Sequence, residues 1–164
     1  MKLKTVLTIA GSDSSGGAGI QADIKAITMN GVYASSVITA LTAQNTTGVY
    51  GIQETPADFI AAQMDAVFSD IFPDAVKIGM LPSPDAMKCV ASRLRQYKPA
   101  HIVLDPVMVS TSGHRLMDPE AEITLKEELF PLAELITPNI PEAEVLTGFL
   151  ITDDASMERA CYEL

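Results

Sequence analysis

The chain has 164 residues, 48% of them hydrophobic, the size and apolar content of a single compact domain with a buried core. Eleven basic residues against 21 acidic ones leave a formal charge of -10, which excludes nucleic acid and anionic membrane surfaces as partners by repulsion. No apolar run approaches the roughly 20 residues that a membrane-spanning helix needs, and Cys89 and Cys161 stand in no metal-like or C-x-x-C spacing, which fits a reducing cytoplasm.

The chain opens with Lys2 and Lys4 ahead of an apolar stretch that is too short and too threonine-rich for a signal peptide, so Thr5 to Ala10 reads as a first buried strand. A glycine-dense stretch, Gly11-Ser12-Asp13-Ser14-Ser15-Gly16-Gly17-Ala18-Gly19, leads into a helix from about Ile20 to Asn30. Ser36 to Leu41 reads as the second strand, and Gln44 to Glu54, which lacks a helical period, as a turn into a short extra strand. Thr55-Pro56 with Asp58 starts a helix over Pro56 to Ser69, in which Phe59, Ile60, Met64, Val67 and Phe68 recur at helical spacing and predict one core-facing side. The strand Ala75 to Ile78 is followed by a helix start at Ser83-Pro84, and the strand His101 to Leu104 by a proline-, glycine- and hydroxyl-rich loop that delays the next helix to Asp118-Pro119. After the strand Leu135 to Thr137, Ile140-Pro141 starts another helix. Asp153-Asp154-Ala155-Ser156 then signals a last one that runs through Met157, Ala160 and Cys161. Such alternation of strands and helices predicts parallel βαβ construction, with no linker or repeat to divide residues 1–164. The last helix reaches Leu164 without a capping residue and with a strand due next, so the expectation is part of a larger fold.

Four places carry chemistry. The glycine-dense stretch follows a strand and precedes a helix, where glycine lets backbone approach a ligand closely. It is no Walker A loop, because Gly17 and Ala18 stand where Lys is required. The pattern Gly17-x-Gly19-x-x-Ala22 lacks the later acid of a dinucleotide site, while Asp13 and Asp23 suit a neutral ligand with hydroxyl or amine donors better than a pyrophosphate. A tight turn with no ligand is the alternative. Gln44 is either a solvent-facing side chain near a turn or an amide that donates and accepts at once, the complement of an aminopyrimidine edge. Asp105 ends a strand as either a turn acid or a carboxylate able to orient magnesium or an alcohol proton. Asn139 and Glu142, three apart at a helix start, fit either a water-rich magnesium site or a capping box. His101 and His114 read as structural or exposed, Cys89 as core packing, and Cys161 as carrying no catalytic role.

Five segments together resemble the ribokinase-like superfamily and, within it, the hydroxymethylpyrimidine/phosphomethylpyrimidine kinases of thiamine biosynthesis. They are I-A-G-S-D-S-S-G-G-A-G-I-Q-A-D-I-K from Ile9 to Lys25, T-A-L-T-A-Q-N-T from Thr39 to Thr46, K-I-G-M-L from Lys77 to Leu81, L-D-P-V-M-V from Leu104 to Val109, and T-P-N-I-P-E from Thr137 to Glu142. The resemblance implies a three-layer α/β/α fold with a mostly parallel central sheet, incomplete at the C-terminus, and a cytoplasmic homodimer. It also implies phosphoryl transfer from ATP with Mg2+ to the pyrimidine alcohol and then to its monophosphate. It places Gln44 on the pyrimidine edge, Gly11 and Asp23 on the polar side of the pocket, and Met80 and Val107 against the ring. Asp105, Asn139 and Glu142 fall on the nucleotide side, with Asn139 and Glu142 at the metal. The glycine-rich segment that carries the family's catalytic base is not matched, so the base is expected beyond Leu164 and residues 1–164 are expected not to turn over alone. A pyridoxal/pyridoxine-type vitamin kinase and a non-catalytic pyrimidine-binding or dimerising module are the alternatives.

Overall fold

The structure is a computed structural model that describes residues 3–108 and 119–164. One six-stranded sheet organises the described residues, in the order β3-β2-β1-β4-β5-β6. The strands are β1 (Thr5–Asp13), β2 (Tyr33–Asn45), β3 (Gly48–Glu54), β4 (Ala75–Ile78), β5 (Ile102–Leu104) and β6 (Leu135–Ile136). All neighbours run parallel except β3, which folds back antiparallel on the outer half of β2. The helices are α1 (Gly19–Met29), α2 (Ala57–Asp70), α3 (Pro84–Tyr97), α4 (Pro119–Thr124), α5 (Ile140–Thr147) and α6 (Asp154–Glu163).

Alternation along the central strands assigns the two faces of the sheet. Leu7 and Ile9 of β1, fully buried, join Val76 and Ile78 of β4 and Leu104 of β5 in one apolar cluster with Ile60, Met64 and Phe68 of α2 and Met87, Val90 and Leu94 of α3. Thr8, between Leu7 and Ile9, points the other way and donates its hydroxyl to Asp23 of α1 at 2.6 Å. Helices therefore cover both faces, as the expected three layers require.

The proline-marked starts hold for α2, α3 and α5, with Pro84 and Pro141 in the first turn and Pro56 at the cap. The Asp118-Pro119 start, the glycine-containing loop and His114 lie wholly or partly outside the described residues. Several details differ from expectation. β2 runs on to Asn45, so Gln44 belongs to the strand rather than lying beyond it, because β3 supplies a hydrogen-bonding partner to its outer half. Phe59 of α2 is 60% exposed, off the core side shared by Ile60, Met64 and Phe68. After α4 the backbone widens into a π turn over Leu125–Leu129 and tightens into a 3-10 turn over Phe130–Leu132. Pro131 cannot donate to a regular ladder there.

Edge chemistry shows at Ile38, whose outward backbone groups lie before the segment of β2 that pairs with β3. Gln63 of α2 takes the place of a neighbouring strand: Ile38 N–H donates to its Oε1 at 2.9 Å and its Nε2 donates to Ile38 O at 3.1 Å. Cys89 packs against the core with Sγ 3.0 Å from Ala57 O, and burial pushes its thiol pKa up, which suits packing and not nucleophilic attack. His101 is exposed and pairs with Glu134 at 2.7 Å.

Candidate substrate-binding site

A cavity of about 300 Å3 opens at the carboxyl ends of β1 and β4. The chain leaves β1 for β2 on one side and later enters β4 on the other, so this is the switch point where open parallel sheets place ligands. Gly11, Asp23, Gln44, Met80, Asp105 and Val107, all singled out in the sequence, line it together. Asn139 and Glu142 do not; they sit one loop away, at the start of α5.

The glycine stretch forms a bend whose shape is fixed by Asp13. Its carboxylate, 4% exposed, accepts from the Ser15 N–H at 2.8 Å and from the Gly17 and Ala18 N–H groups at 2.9 Å each. Burial pushes the Asp13 pKa up, but the Ser15 hydroxyl and these N–H groups outweigh it and hold the acid below its ordinary range. Asp13 is therefore a loop-capping group, which corrects the expectation that it offers its oxygens to a ligand. Gly19 has φ +56°, and a Cβ there would collide with the carbonyl of Gly11. At Gly11 a Cβ would stand 2.5 Å from Met80 Cε, so only hydrogen at this position leaves Met80 where it faces the cavity.

Gln44 closes the outer side. Its backbone N–H donates to Ser14 Oγ at 2.9 Å, and the Ser14 hydroxyl lies 2.7 Å from Gln44 O, which straps the bend to β2. The Thr42 hydroxyl donates to Ser12 O at 2.9 Å and lies 3.2 Å from Gln44 Oε1, and both residues line the cavity. A register shift between Ala43 and Gln44 leaves Tyr50 as the extra residue on β3, while Val49 and Ile52 present apolar side chains to the same space. The result is a pocket with an amide and a carboxylate on its polar side and Met80, Val107, Val49 and Ile52 on its apolar side. Such a pocket suits a flat heteroaromatic ring with a donor and an acceptor on one edge.

Sequence reasoning gave Lys77 no role. The structure places its Nζ 3.2 Å from Asp23 Oδ2 and 3.5 Å from Asp105 Oδ2, on the floor of the cavity. The available signal was a lysine inside the short strand Ala75–Ile78, where an ammonium needs a buried partner. The Asp105 carboxylate thus faces Lys77 and the cavity.

Asn139 and Glu142 form a capping box: Glu142 N–H donates to Asn139 Oδ1 at 3.0 Å, and Asn139 N–H to Glu142 Oε2 at 2.9 Å. Glu142 is 3% exposed, and its other oxygen lies 3.4 Å from the Met108 N–H. Each Glu142 oxygen thus accepts one N–H and keeps acceptor capacity toward a magnesium ion that retains its water shell. Among the described residues no three His, Cys, Asp or Glu side chains gather into a metal-binding group. Contact through water is what these two residues could offer.

Helices on both faces of a mostly parallel sheet, with a cavity at the switch point, define a doubly wound α/β protein with a small-ligand site, and its structural neighbours are kinases of the ribokinase-like fold. The chain belongs to the phosphomethylpyrimidine kinase family, whose sequence profile matches residues 13–164. It is 51% identical over 162 residues to the hydroxymethylpyrimidine/phosphomethylpyrimidine kinase of Haemophilus influenzae, covering 99% of this chain and 60% of that protein. The crystal structure of phosphomethylpyrimidine kinase from Clostridium difficile 630 superposes with a TM-score of 0.92 at 52% identity, covering 98% of this chain and 69% of that one. Pyridoxal kinase from Staphylococcus aureus, solved with AMP-PCP and pyridoxal, superposes with a TM-score of 0.86 at 33% identity, covering 98% and 57%. The chain spans no more than 60% of the length of the curated relatives it matches first. Among the described residues no helix is long and apolar enough to cross a membrane.

Proposed function

We propose that residues 1–164 are the acceptor-binding part of a single ribokinase-like kinase domain that phosphorylates 4-amino-5-hydroxymethyl-2-methylpyrimidine and then its monophosphate, in thiamine biosynthesis. The observation that carries this reading is the convergence of Gln44 and Asp23 on one side of a cavity whose other side is Met80 and Val107. An aminopyrimidine presents a donor beside an acceptor, and a carboxamide answers both at once. Asp23, already fixed by Thr8 and Lys77, keeps a carboxylate turned to the polar side, while Gly11 lets the ring lie against backbone. The apolar residues exclude water from the ring faces, which strengthens these hydrogen bonds.

ATP with Mg2+ would supply the phosphoryl group, and Asn139 and Glu142 at the start of α5 would meet the hydrated ion. No general base is assigned within residues 1–164, whose part in this reading is to bind the acceptor. The exposed ribbon of β2 and β3, with Leu41 52% and Tyr50 70% exposed, supports a homodimer, and the acidic, cysteine-poor composition supports a cytoplasmic protein.

The test is calorimetric titration with the pyrimidine alcohol and with pyridoxine, for the native chain and Gln44→Ala. Pyrimidine binding should weaken about tenfold in the variant, the value of one paired amide contact, with little change for pyridoxine. Equal loss for both would remove the specific role of Gln44. The likeness to a pyridoxal kinase favours a vitamin-type kinase as the second reading, and tighter binding of pyridoxine by the native chain would establish it. A non-catalytic pyrimidine-binding module would bind the alcohol in this titration yet stay without ATP consumption in the longest natural form of the protein.

A further inference from the structure

Lys77 is the one cation lining the cavity among the described residues, and recognition of the ring gives it no task. It stands on β4 in register with Thr8 of β1 and Val103 of β5, in the middle of the sheet. Gly79 leaves room for its head group: a Cβ there would lie 2.9 Å from Lys77 Nζ. The two ion pairs it makes are unequal. Asp23 is 19% exposed, lies 3.2 Å away and is locked by the Thr8 hydroxyl at 2.6 Å, whereas Asp105 is 36% exposed and lies 3.5 Å away. A longer pair that is better screened by solvent opens more readily. The lysine stem is flexible enough to follow.

Two carboxylates and one ammonium leave this floor with a charge of about -1, which tolerates an uncharged alcohol. A phosphate monoester brings a further charge of about -1.5 to -2 at pH 7 and must meet a cation to enter. We propose that Lys77 is the specificity residue for the phosphorylated acceptor. It bridges Asp23 and Asp105 while the neutral alcohol is bound, and it leaves Asp105 for the ester oxygens when the monophosphate is bound. Asp23 keeps its place on the ring through Thr8 in both states. One cavity then serves both acceptors with a single swing of one side chain. This inference rests on the pyrimidine-kinase reading above.

The experiment is calorimetry on the longest natural form of the protein, without nucleotide, with 4-amino-5-hydroxymethyl-2-methylpyrimidine and with its monophosphate. It compares that form with Lys77→Met, Lys77→Arg and Asp105→Asn. Lys77→Met should weaken the ester about tenfold more than the alcohol, the value of one charge-assisted hydrogen bond, and Lys77→Arg should recover most of that difference. Asp105→Asn keeps the cation, removes its competitor, and should tighten the ester relative to the alcohol. Equal weakening of both ligands in Lys77→Met would reduce Lys77 to a strut between two acids and overturn the proposal. If Lys77→Met does not fold, Asp105→Asn decides, and an unchanged or lowered preference for the ester refutes the idea. Should the longest natural form of the protein bind neither ligand, the pyrimidine-kinase reading fails and takes this inference with it. Binding of both by that form, with a ratio indifferent to all three variants, overturns the inference alone.

Discussion

Gly11→Ala and Gly19→Ala add the same methyl group to the same bend, and the structure assigns them different losses, of affinity at one and of stability at the other. At Gly11 the new Cβ would stand 2.5 Å from Met80 Cε, the far end of a flexible side chain. Carbon atoms settle about 3.5–4.0 Å apart, so the Met80 methyl must retreat by about 1–1.5 Å, and both groups face the cavity. Overpacking of this kind costs about 1–3 kcal/mol, which should appear as an affinity for the pyrimidine alcohol lowered about 5- to 150-fold. At Gly19 the obstacle is the backbone carbonyl of Gly11, and φ is +56°, so neither partner can yield. Left-handed backbone alone costs about 1–2 kcal/mol. With the collision added, a loss of about 2–4 kcal/mol lowers the melting temperature of a domain this size by about 4–16 °C. Differential scanning fluorimetry and calorimetric titration of the two variants separate these effects. A double variant, Gly11→Ala with Met80→Ala, should regain part of the lost affinity because the clashing methyl is gone. The reasoning is refuted if Gly11→Ala melts as early as Gly19→Ala, or binds the alcohol as the native chain does.

Two further outcomes follow from contacts away from the cavity. Gln63→Met keeps the length of the side chain but leaves the Ile38 N–H and C=O without their partner; urea unfolding should show a loss of about 1–3 kcal/mol, and an unchanged midpoint would show that water replaces the glutamine at no cost. Asp74 is held at a pKa of about 2, below its ordinary 3.8, first by the Lys4 ammonium at 2.6 Å and then by the Thr5 N–H. Because the folded-state pKa is the lower one, its stabilisation is present above about pH 4 and is lost as the pH falls toward 2, so Asp74→Asn should flatten the acid limb of stability against pH in that window. An acid limb of the same steepness in the variant would assign the loss to other carboxylates.

Legibility followed the range of the interaction. Helix starts were readable because proline and capping residues act within a turn; Pro84 with Ser83, and Asn139 with Glu142, do in the structure what their spacing implies. The bend was readable because glycine at Gly11 and Gly19 signals close approach, though not what approaches: the neighbours proved to be Met80 and the bend's own backbone. Asp13 was misjudged because a carboxylate looks the same in sequence whether it faces a ligand or caps a loop. Phe59 was misplaced because helical spacing defines a broad apolar stripe, and the packing of α2 on the sheet decides where that stripe ends.

The order of strands and helices, the glycine bend after the first strand and the identities of Gln44, Asp105 and Asn139 were set by local chemistry, and the amino-acid order alone determined them. The tertiary structure decided which of these residues share a space. It brought β1 and β4 side by side from 70 residues apart, from Thr5 to Ala75, and so set Lys77 between Asp23 of α1 and Asp105 after β5. An ion pair across the sheet depends on register and on which strands are neighbours, and both arise only when the whole apolar cluster forms.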